Sequence, residues 1–232
     1  MPDVIIIGDS HTAALKAGCD AFGLKSELLY LSGNGWHSGS AAFNAKAGLH
    51  FAKNPDMQQR VAAIRETVGG ASLFSRKVPV IASIGYHLGR LASPFGILGH
   101  TPDGTQFMDA DDRLFASQGV MAAYVSHFRE PHFRMLARAA RLCTLVVVAP
   151  PVVQADVAAH AMACTITARL RQDGVRVIDP RDGQTHMGAT LAPHLLAADG
   201  VHGNARYGQG VIGKLLQDGL IPSFNGDTAC VA

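Results

Sequence analysis

A serine lies between an aspartate and a histidine near the start of this chain, in the stretch Val4 to Thr12, VIIIGDSHT. A serine hydroxyl becomes a nucleophile at neutral pH when a base accepts its proton and a third group orients that base. Of the eleven histidines, His202 is the best candidate for the base, because Asp199 precedes it by three residues in ADGVHGN. A turn there would return the carboxylate to the imidazole. The residues predict Ser10 as nucleophile, His202 as general base and Asp199 as its orienting group.

Structural interpretations compete with this chemistry. Ser10 is also a suitable cap for a helix that follows it, since serine oxygens accept hydrogen bonds from the first free amides of a helix. The D-x-x-H segment is equally compatible with an ordinary surface turn. A metal site is not predicted, because the spacing of His186, His194 and His202 matches no known ligand pattern. A dinucleotide site is not predicted either, because only Gly8 is present where G-x-G-x-x-G needs three glycines.

The elements that must position these residues alternate between strands and helices along the chain. Short apolar runs predict strands at Val4–Ile7, Ser26–Leu31, Val78–Ile84, Thr144–Ala149 and Val175–Ile178. Helical patterns cover Thr12–Phe22, Asp56–Val68, Pro131–Leu142, Asp156–Leu170 and Asn204–Leu216, with Asp156 as an N-cap. Continuous apolar runs are typical of strands that are covered on both faces. The alternation predicts a single three-layer α/β/α domain with a central parallel sheet over residues 1–232.

One segment departs from this alternation. Residues Leu88 to Asp112 are rich in Gly, Pro and Asp and contain neither a strand nor a helix pattern. Long segments of this kind in a compact domain are usually functional loops. We predict a long loop or lid here, beside the site.

Polar and glycine residues follow the first three predicted strands, in the segments Gly8–His11, Ser32–Gly39 and Gly85–His87. In open parallel sheets, ligands bind at the carboxyl ends of the strands. We therefore expect the substrate site at this edge of the sheet. The residues predicted to line it are Asp9, His11, Asn34, Trp36 and Tyr86.

Composition excludes several classes of partner. A net charge of +2, with one Trp and four Tyr, does not predict a nucleic-acid surface. The sequence has no apolar run long enough to span a membrane and no basic leader with a long apolar stretch. Four cysteines without a C-x-x-C pair indicate a reducing compartment, so we expect a cytoplasmic protein. The oligomeric state is not indicated.

The Gly-Asp-Ser after the first strand and the Asp-x-x-His before the last helix resemble the SGNH/GDSL hydrolase family. The strand and helix order is similar to the flavodoxin-like sheet of that family, over most of the chain. In the family, the serine attacks a carbonyl and the Asp-x-x-His completes a triad. The resemblance also implies an oxyanion hole made by the N–H of Ser10 and by a glycine after the second strand. Gly33 is the first choice for that glycine and Gly35 the second.

The third oxyanion donor of the family is an asparagine in a G-x-N motif after the third strand, and this chain has His87 there. A neutral imidazole can donate one hydrogen bond, so His87 is predicted to act in place of the asparagine. Asn34 is an alternative donor, and a purely structural histidine is a further alternative. Loss of one oxyanion donor reduces transition-state stabilisation by about 2.7–4 kcal/mol, so this difference leaves room for a specialised or weakened enzyme.

The resemblance implies a serine esterase that cleaves small acyl esters, such as acetyl esters, through an acyl-enzyme without a cofactor. A second hypothesis is O-acyl transfer to a carbohydrate hydroxyl by the same triad, because the GDSH form also occurs in SGNH domains attached to membrane acyltransferases. A third is a non-catalytic binding module of the same fold. The expected partner is a small acyl ester or an acylated carbohydrate.

Overall fold

A computed structural model describes residues 1–37, 41–44, 46, 48–70, 72–88, 91, 115–153, 157–180 and 190–222. The strands in these ranges are β1 (Val4–Gly8), β2 (Ser26–Tyr30), β3 (Ala41–Asn44), β4 (Gly48–Phe51), β5 (Val80–Ser83), β6 (Leu145–Val148) and β7 (Arg176–Ile178). The helices are α1 (Thr12–Ala21), α2 (Gly33–His37), α3 (Pro55–Thr67), α4 (Gln118–Ala140), α5 (Val157–Gln172) and α6 (Ala205–Gln217), with a 3₁₀ turn at Pro193–Leu195. The predicted lid, apart from Leu88 and Leu91, and the predicted cap Asp156 lie outside the described residues.

Five strands form one parallel sheet in the order β2-β1-β5-β6-β7. Counted within this sheet alone, the order is 2-1-3-4-5, which is the flavodoxin-like order of doubly wound α/β proteins. The strand β2 is added on one side of β1, and β5 and the later strands are added on the other side, so the order of strand addition reverses between β1 and β5. Ligand sites in this topology lie beyond the carboxyl ends of those two strands. The predicted fold class, α/β with a central parallel sheet, is confirmed.

Helices cover both faces of the sheet, as the strand β1 shows. Val4 and Ile6 pack with residues of α1 and α6 in one apolar cluster. Ile5 and Ile7 belong to a second cluster, which includes residues of α3, α4 and α5 on the opposite face. All four side chains are buried. The four consecutive apolar residues Val4–Ile7 do not alternate with polar residues, because β1 is buried on both faces.

Several elements differ from the sequence-based prediction. The sequence predicts that helix α4 begins at Pro131, because Pro131–Leu142 is rich in Ala, Arg and Leu and precedes a strand. It begins instead at Gln118, where Ser117 accepts a capping hydrogen bond from the N–H of Val120 (3.3 Å), and Pro131 lies in its interior. The antiparallel hairpin β3–β4, the helix α2 and the 3₁₀ turn were not predicted, because each of these elements has only three to five residues, too few to show a clear period.

No helix in the described part of the chain combines the length and the apolar character that a membrane crossing needs.

His132 is a buried histidine on α4 whose Nε2 lies 3.0 Å from the carbonyl oxygen of Trp36. Because a carbonyl only accepts hydrogen bonds, Nε2 carries the proton and donates. Burial lowers the pKa of His132 to about 4, from 6.5 for an ordinary histidine. The folded protein therefore keeps this imidazole neutral at pH values where the unfolded chain protonates it.

We expect this difference to reduce stability in acid. As pH falls through 6.5 towards about 4, only the unfolded chain binds the proton, so the free energy of unfolding should decrease by on the order of 3 kcal/mol. Urea denaturation of the wild type and His132→Gln, at neutral pH and at several pH values down to about 4, measures the effect. The stability advantage of the wild type over His132→Gln should shrink as the pH falls. A constant difference would contradict the prediction.

Candidate active site

Ser10 lies in the turn between β1 and α1, with an exposed side chain at the carboxyl edge of the sheet. The carbonyl oxygen of Asp9 accepts hydrogen bonds from the N–H of Thr12 (3.0 Å) and from its hydroxyl (2.7 Å), and these bonds close the turn. His11, not Ser10, occupies the N-cap position of α1, and no side-chain capping hydrogen bond is made there. The capping interpretation of Ser10 is therefore contradicted, and its hydroxyl is available for another partner.

The partner of that hydroxyl is His202. Ser10 Oγ lies 2.6 Å from His202 Nε2, and His202 Nδ1 lies 2.7 Å from Asp199 Oδ2. An ionised carboxylate can only accept, so Nδ1 carries the imidazole proton and Nε2 presents its lone pair to the serine hydroxyl. This is the tautomer that a general base for Ser10 requires. The structure thus brings together the three residues singled out in the sequence, and their catalytic roles remain predictions.

Asp199 is held in place by the turn that it begins. Its Oδ1 accepts hydrogen bonds from the N–H groups of Val201 (2.9 Å) and His202 (3.0 Å), while Oδ2 contacts the His202 ring. The amide of Val201, followed by the imidazole of His202, holds the pKa of Asp199 well below its usual range. The carboxylate, whose side chain is 52% exposed, is therefore ionised at neutral pH.

Asn204 connects this turn to the helix that follows it. Its Oδ1 caps α6 by accepting from the N–H groups of Arg206 (2.9 Å) and Tyr207 (3.2 Å). Its Nδ2 donates to the carbonyl oxygens of His194 (2.8 Å) and Leu196 (3.0 Å), in the segment that pairs with the His202 turn. One amide side chain therefore holds the His202 turn between α6 and the preceding loop. The sequence indicated only that a helix begins here.

Replacing Asn204 with alanine tests this positioning role, and Asn54→Ala provides a matched control. Asn54 caps α3 by accepting from the N–H of Met57 (3.1 Å) and lies on another part of the chain. Each change should reduce the free energy of unfolding by about 1–2 kcal/mol through loss of a cap. Only Asn204→Ala should also lower kcat/KM for p-nitrophenyl acetate, by about tenfold, because it would displace His202, the predicted base. Equal activities in the two variants would show that Asn204 acts only as a cap.

Helices α1 and α6 meet at their backbones. A Cβ atom added at Gly208 would lie 1.8 Å from the carbonyl oxygen of Ala14, and one added at Gly18 would lie 2.4 Å from the carbonyl oxygen of Gly208. Only glycine allows this approach. Because Ser10 lies two residues before α1 and His202 lies three residues before α6, the contact between the helices helps to set the distance between hydroxyl and imidazole.

The segments after β2 and β5 lie against each other at Gly33 and His87. A Cβ atom at Gly33 would lie 2.2 Å from Nδ1 of His87, so the imidazole packs directly on the Gly33 backbone. His87 has φ = +23°, the only positive φ of a non-glycine residue in the described ranges. The N–H of Gly35 donates to Ser32 Oγ (3.2 Å). Because the N–H of Gly35 already has a partner within the protein, Gly33 stays the first choice for the predicted oxyanion donor.

His11 contributes a further imidazole to this edge of the sheet. Its ring centroid lies 4.8 Å from that of His202, with the ring planes inclined at 54°. Burial is the main cause that lowers the pKa of His11, and the nearby imidazoles of His202 and His87 add to the decrease. His11 is therefore neutral at neutral pH and lies beside the ring of His202, and its role in lining the substrate site stays a prediction.

Asp9 and Asn34 occupy different environments from each other. Asp9 is buried, and its Oδ1 accepts from the N–H of His11 (3.2 Å) and from the hydroxyl of Ser83 (3.3 Å). These bonds join the ends of β1 and β5, so Asp9 supports the site from within the protein, and the prediction that it lines the substrate site is not supported. The side chain of Asn34 is exposed at the start of α2, where a substrate can reach it.

The prediction that Trp36 and Tyr86 line the substrate site is not supported. Trp36 is 2% exposed and packs edge-to-face against Phe51, with 5.6 Å between the ring centroids. Tyr86 is 3% exposed, and its hydroxyl lies 2.8 Å from Thr167 Oγ1. Both residues follow strands at the expected edge of the sheet. Their large apolar rings turn into the core, where burial stabilises them.

A buried polar network supports the segment after β5 and was missed in the sequence. The hydroxyl of Thr167 donates to Asp179 Oδ2 (2.6 Å), so the hydroxyl of Tyr86 must donate to Thr167. Arg129, 2% exposed, donates from Nη2 to the carbonyl oxygens of Tyr86 (3.2 Å) and His87 (3.1 Å). A helical period through Val125 and Arg129 would have placed this arginine on the apolar face of α4, which is the available signal.

Within the described ranges, no three His, Cys, Asp or Glu side chains are grouped as a metal site would require.

Comparison with known proteins gives structural but not sequence relatives. No protein-family model and no curated protein sequence matches this chain. A lipase/acylhydrolase from Enterococcus faecalis is 12% identical, with a TM-score of 0.42 over 97% of this chain and 100% of that one. The esterase EstA from Pseudoalteromonas sp. is 14% identical, with a TM-score of 0.39 over 93% and 95%. The α/β hydrolase LAE5, from the metagenome of Lake Arreo, Spain, is 17% identical, with a TM-score of 0.43 over 95% and 96%. Likenesses of this degree carry no inference about function.

Proposed function

We propose that this protein is a serine-dependent ester hydrolase of the SGNH/GDSL type. One observation carries the proposal: Ser10 Oγ lies 2.6 Å from His202 Nε2, while His202 Nδ1 lies 2.7 Å from Asp199 Oδ2. Nucleophile, base and orienting carboxylate thus form one chain of hydrogen bonds. This series of hydrogen bonds ends at the exposed Ser10 on the carboxyl edge of the sheet, where proteins of this topology bind ligands.

The acylation step follows from this arrangement. His202 Nε2 accepts the proton of Ser10 as Oγ attacks the ester carbonyl carbon, and Asp199 stabilises the imidazolium that results. The negative charge that develops on the carbonyl oxygen is stabilised by the N–H groups of Ser10 and Gly33 and by an N–H of the His87 ring. His202 then returns the proton to the leaving alkoxide, the C–O bond breaks, and the acyl group remains on Ser10.

Deacylation uses the same groups with water in place of the serine. His202 removes a proton from a water molecule, whose oxygen attacks the acyl carbon. The tetrahedral intermediate collapses, His202 returns the proton to Ser10 Oγ, and the carboxylic acid leaves. We propose a small acyl group such as acetyl, on the basis of the family resemblance. If a carbohydrate hydroxyl replaces water in this step, the protein is an O-acyltransferase.

The proposal is tested with p-nitrophenyl acetate and an alkyl fluorophosphonate. We expect continuous release of p-nitrophenol by the wild type and a single phosphonate on Ser10, identified by mass spectrometry of tryptic peptides. Ser10→Ala should lose both. The matched control is Ser72→Ala, which removes a hydroxyl that accepts a hydrogen bond from the N–H of Phe74 and should behave as wild type.

Other outcomes separate the alternatives. A stoichiometric burst without turnover, followed by turnover when a sugar is added, would indicate the acyltransferase in place of the hydrolase. Neither burst nor labelling in the folded wild type would overturn both and favour a binding module.

A further inference from the structure

We propose that Arg129 is a positioning residue that holds His87 in a left-handed backbone conformation, with its imidazole at the oxyanion site. The inference rests on the proposed function, in which His87 donates to the oxyanion. It assigns a role to a buried arginine on α4 that belongs to none of the motifs in the sequence.

The first observation is the backbone of His87. Its φ of +23° lies in a region that residues with a Cβ atom rarely adopt, and Gly85 two residues earlier has φ = +104°. Such conformations persist where the surrounding structure holds them, and they occur often at functional sites. The segment Gly85–His87 begins two residues after β5, one of the two strands whose carboxyl ends flank the expected ligand site. Contacts with neighbouring residues must therefore stabilise the backbone conformation of Gly85–His87.

The second observation is the pair of hydrogen bonds from Arg129. A single nitrogen, Nη2, donates to the carbonyl oxygens of Tyr86 (3.2 Å) and His87 (3.1 Å). These carbonyls belong to the peptide units on either side of the His87 Cα atom, so one guanidinium constrains both dihedral angles of that residue. A planar guanidinium has fixed donor directions, whereas the ammonium of lysine sits on a flexible chain.

The third observation is how the neighbouring side chains are held. The hydroxyl of Tyr86 donates to Thr167, which in turn donates to Asp179, so the tyrosine is anchored in the core. The ring of His87 lies against the backbone of Gly33, the proposed second oxyanion donor. A rotation of the His87 backbone would remove the ring from Gly33. Arg129 thus acts on the oxyanion site through the His87 backbone, without contacting the substrate.

A cycle of variants separates this role from a general effect on stability. We expect Arg129→Met to lower kcat for p-nitrophenyl acetate by about 10- to 100-fold with little change in KM, since oxyanion donors act on the transition state. His87→Ala should lower kcat by a similar factor. In the His87→Ala background, Arg129→Met should have no further effect on kcat, because the residue through which it acts is absent. Multiplicative effects in the double variant would overturn the proposal.

Two further variants control the experiment. Arg134→Met, on an exposed side chain of the same helix, should leave kcat and KM unchanged. Arg129→Lys keeps the charge and most of the buried volume, so it replaces Arg129→Met in the cycle if the methionine variant does not fold. It should show the same loss confined to kcat, and a wild-type kcat in this variant would overturn the proposal.

An NMR measurement, which does not depend on catalytic activity, distinguishes failure of this inference from failure of the proposed function. The backbone carbon chemical shifts of His87, measured by NMR, report its φ angle. We expect the wild type to show left-handed shifts and the Arg129 variant to lose them while the shifts of β5 are retained. An inactive wild type with this result would refute the esterase function but not the positioning by Arg129. Unchanged His87 shifts in the variant would refute the positioning.

Discussion

His202→Ala is expected to lower kcat/KM for p-nitrophenyl acetate by about 10⁴- to 10⁶-fold, as loss of the base does in serine hydrolases. The physical reason is that Ser10 Oγ has its proton acceptor at 2.6 Å in the folded protein and no other hydrogen-bond partner for this hydroxyl is found within the described ranges. Without the imidazole, the hydroxyl must lose its proton to water during attack. The fluorophosphonate labelling rate of Ser10 should fall in parallel.

Asp199→Asn should lower kcat by about 10⁴-fold for a different reason. The asparagine oxygen can still accept from the amides of Val201 and His202, so the turn is retained. Its NH₂ group would then face His202 Nδ1 and favour the tautomer with the proton on Nε2. That tautomer cannot accept the proton of Ser10.

The control for both variants is His50→Ala, which removes an exposed imidazole on the hairpin strand β4 and should leave kcat/KM unchanged. If His202→Ala kept its rate within tenfold of wild type, the hydrogen-bonded triad would not be the catalytic apparatus.

Gly208→Ala is expected to have the largest effect on stability. Its new Cβ atom would meet the carbonyl oxygen of Ala14 at 1.8 Å and the carbonyl carbon at 2.6 Å, and backbone atoms in a packed helix cannot rotate away. Helices α1 and α6 must move apart, so we expect a loss of about 3 kcal/mol in the free energy of unfolding. The movement also separates Ser10 from His202, and a displacement of about 1 Å reduces kcat by about 100-fold.

Gly210→Ala is the matched control in the same helix. A Cβ atom at Gly210 meets nothing within 4 Å, so the change should stabilise the protein by about 0.5–1 kcal/mol through helix propensity, with normal kcat. Urea denaturation measures the free energy of unfolding of the two variants, and p-nitrophenyl acetate kinetics measure their kcat values. Similar stabilities of the two variants would show that the helix contact yields easily and does not set the geometry of the site.

The sequence predicts the sheet and the turn that joins Asp199 to His202 because each depends on a short pattern, whereas the pairing of Ser10 with His202 was expected from the resemblance to the SGNH/GDSL family. The apolar run Val4–Ile7 needs burial on both faces, and Asp-x-x-His is close enough for a local turn to join its ends. The parallel topology then allows the carboxyl end of β1 and the turn before α6 to meet at one edge of the sheet. These are consequences of spacing and of hydrophobicity, which the sequence displays directly.

The features that the sequence does not predict depend on contacts between distant residues. Nothing in the neighbourhood of Gly208 shows that Ala14 will pack against it. The direction of Trp36 could not be predicted either, because a strand-end residue can turn towards solvent or into the core. The start of α4 at Gln118 was missed because proline is unfavourable in the interior of a helix, so the sequence does not indicate that the helix extends before Pro131. In the structure, buried residues on both sides of Pro131 stabilise the helix.

The hydrogen bond between Ser10 and His202 joins residues that are 192 positions apart. On a translating ribosome, the nucleophile therefore leaves the exit tunnel long before its base is synthesised. A nascent chain that has emerged only as far as β7 exposes a serine without the imidazole needed to activate it. The proposed esterase activity would begin only after α6 has emerged and docked on α1, so a chain that terminates before α6 would lack it.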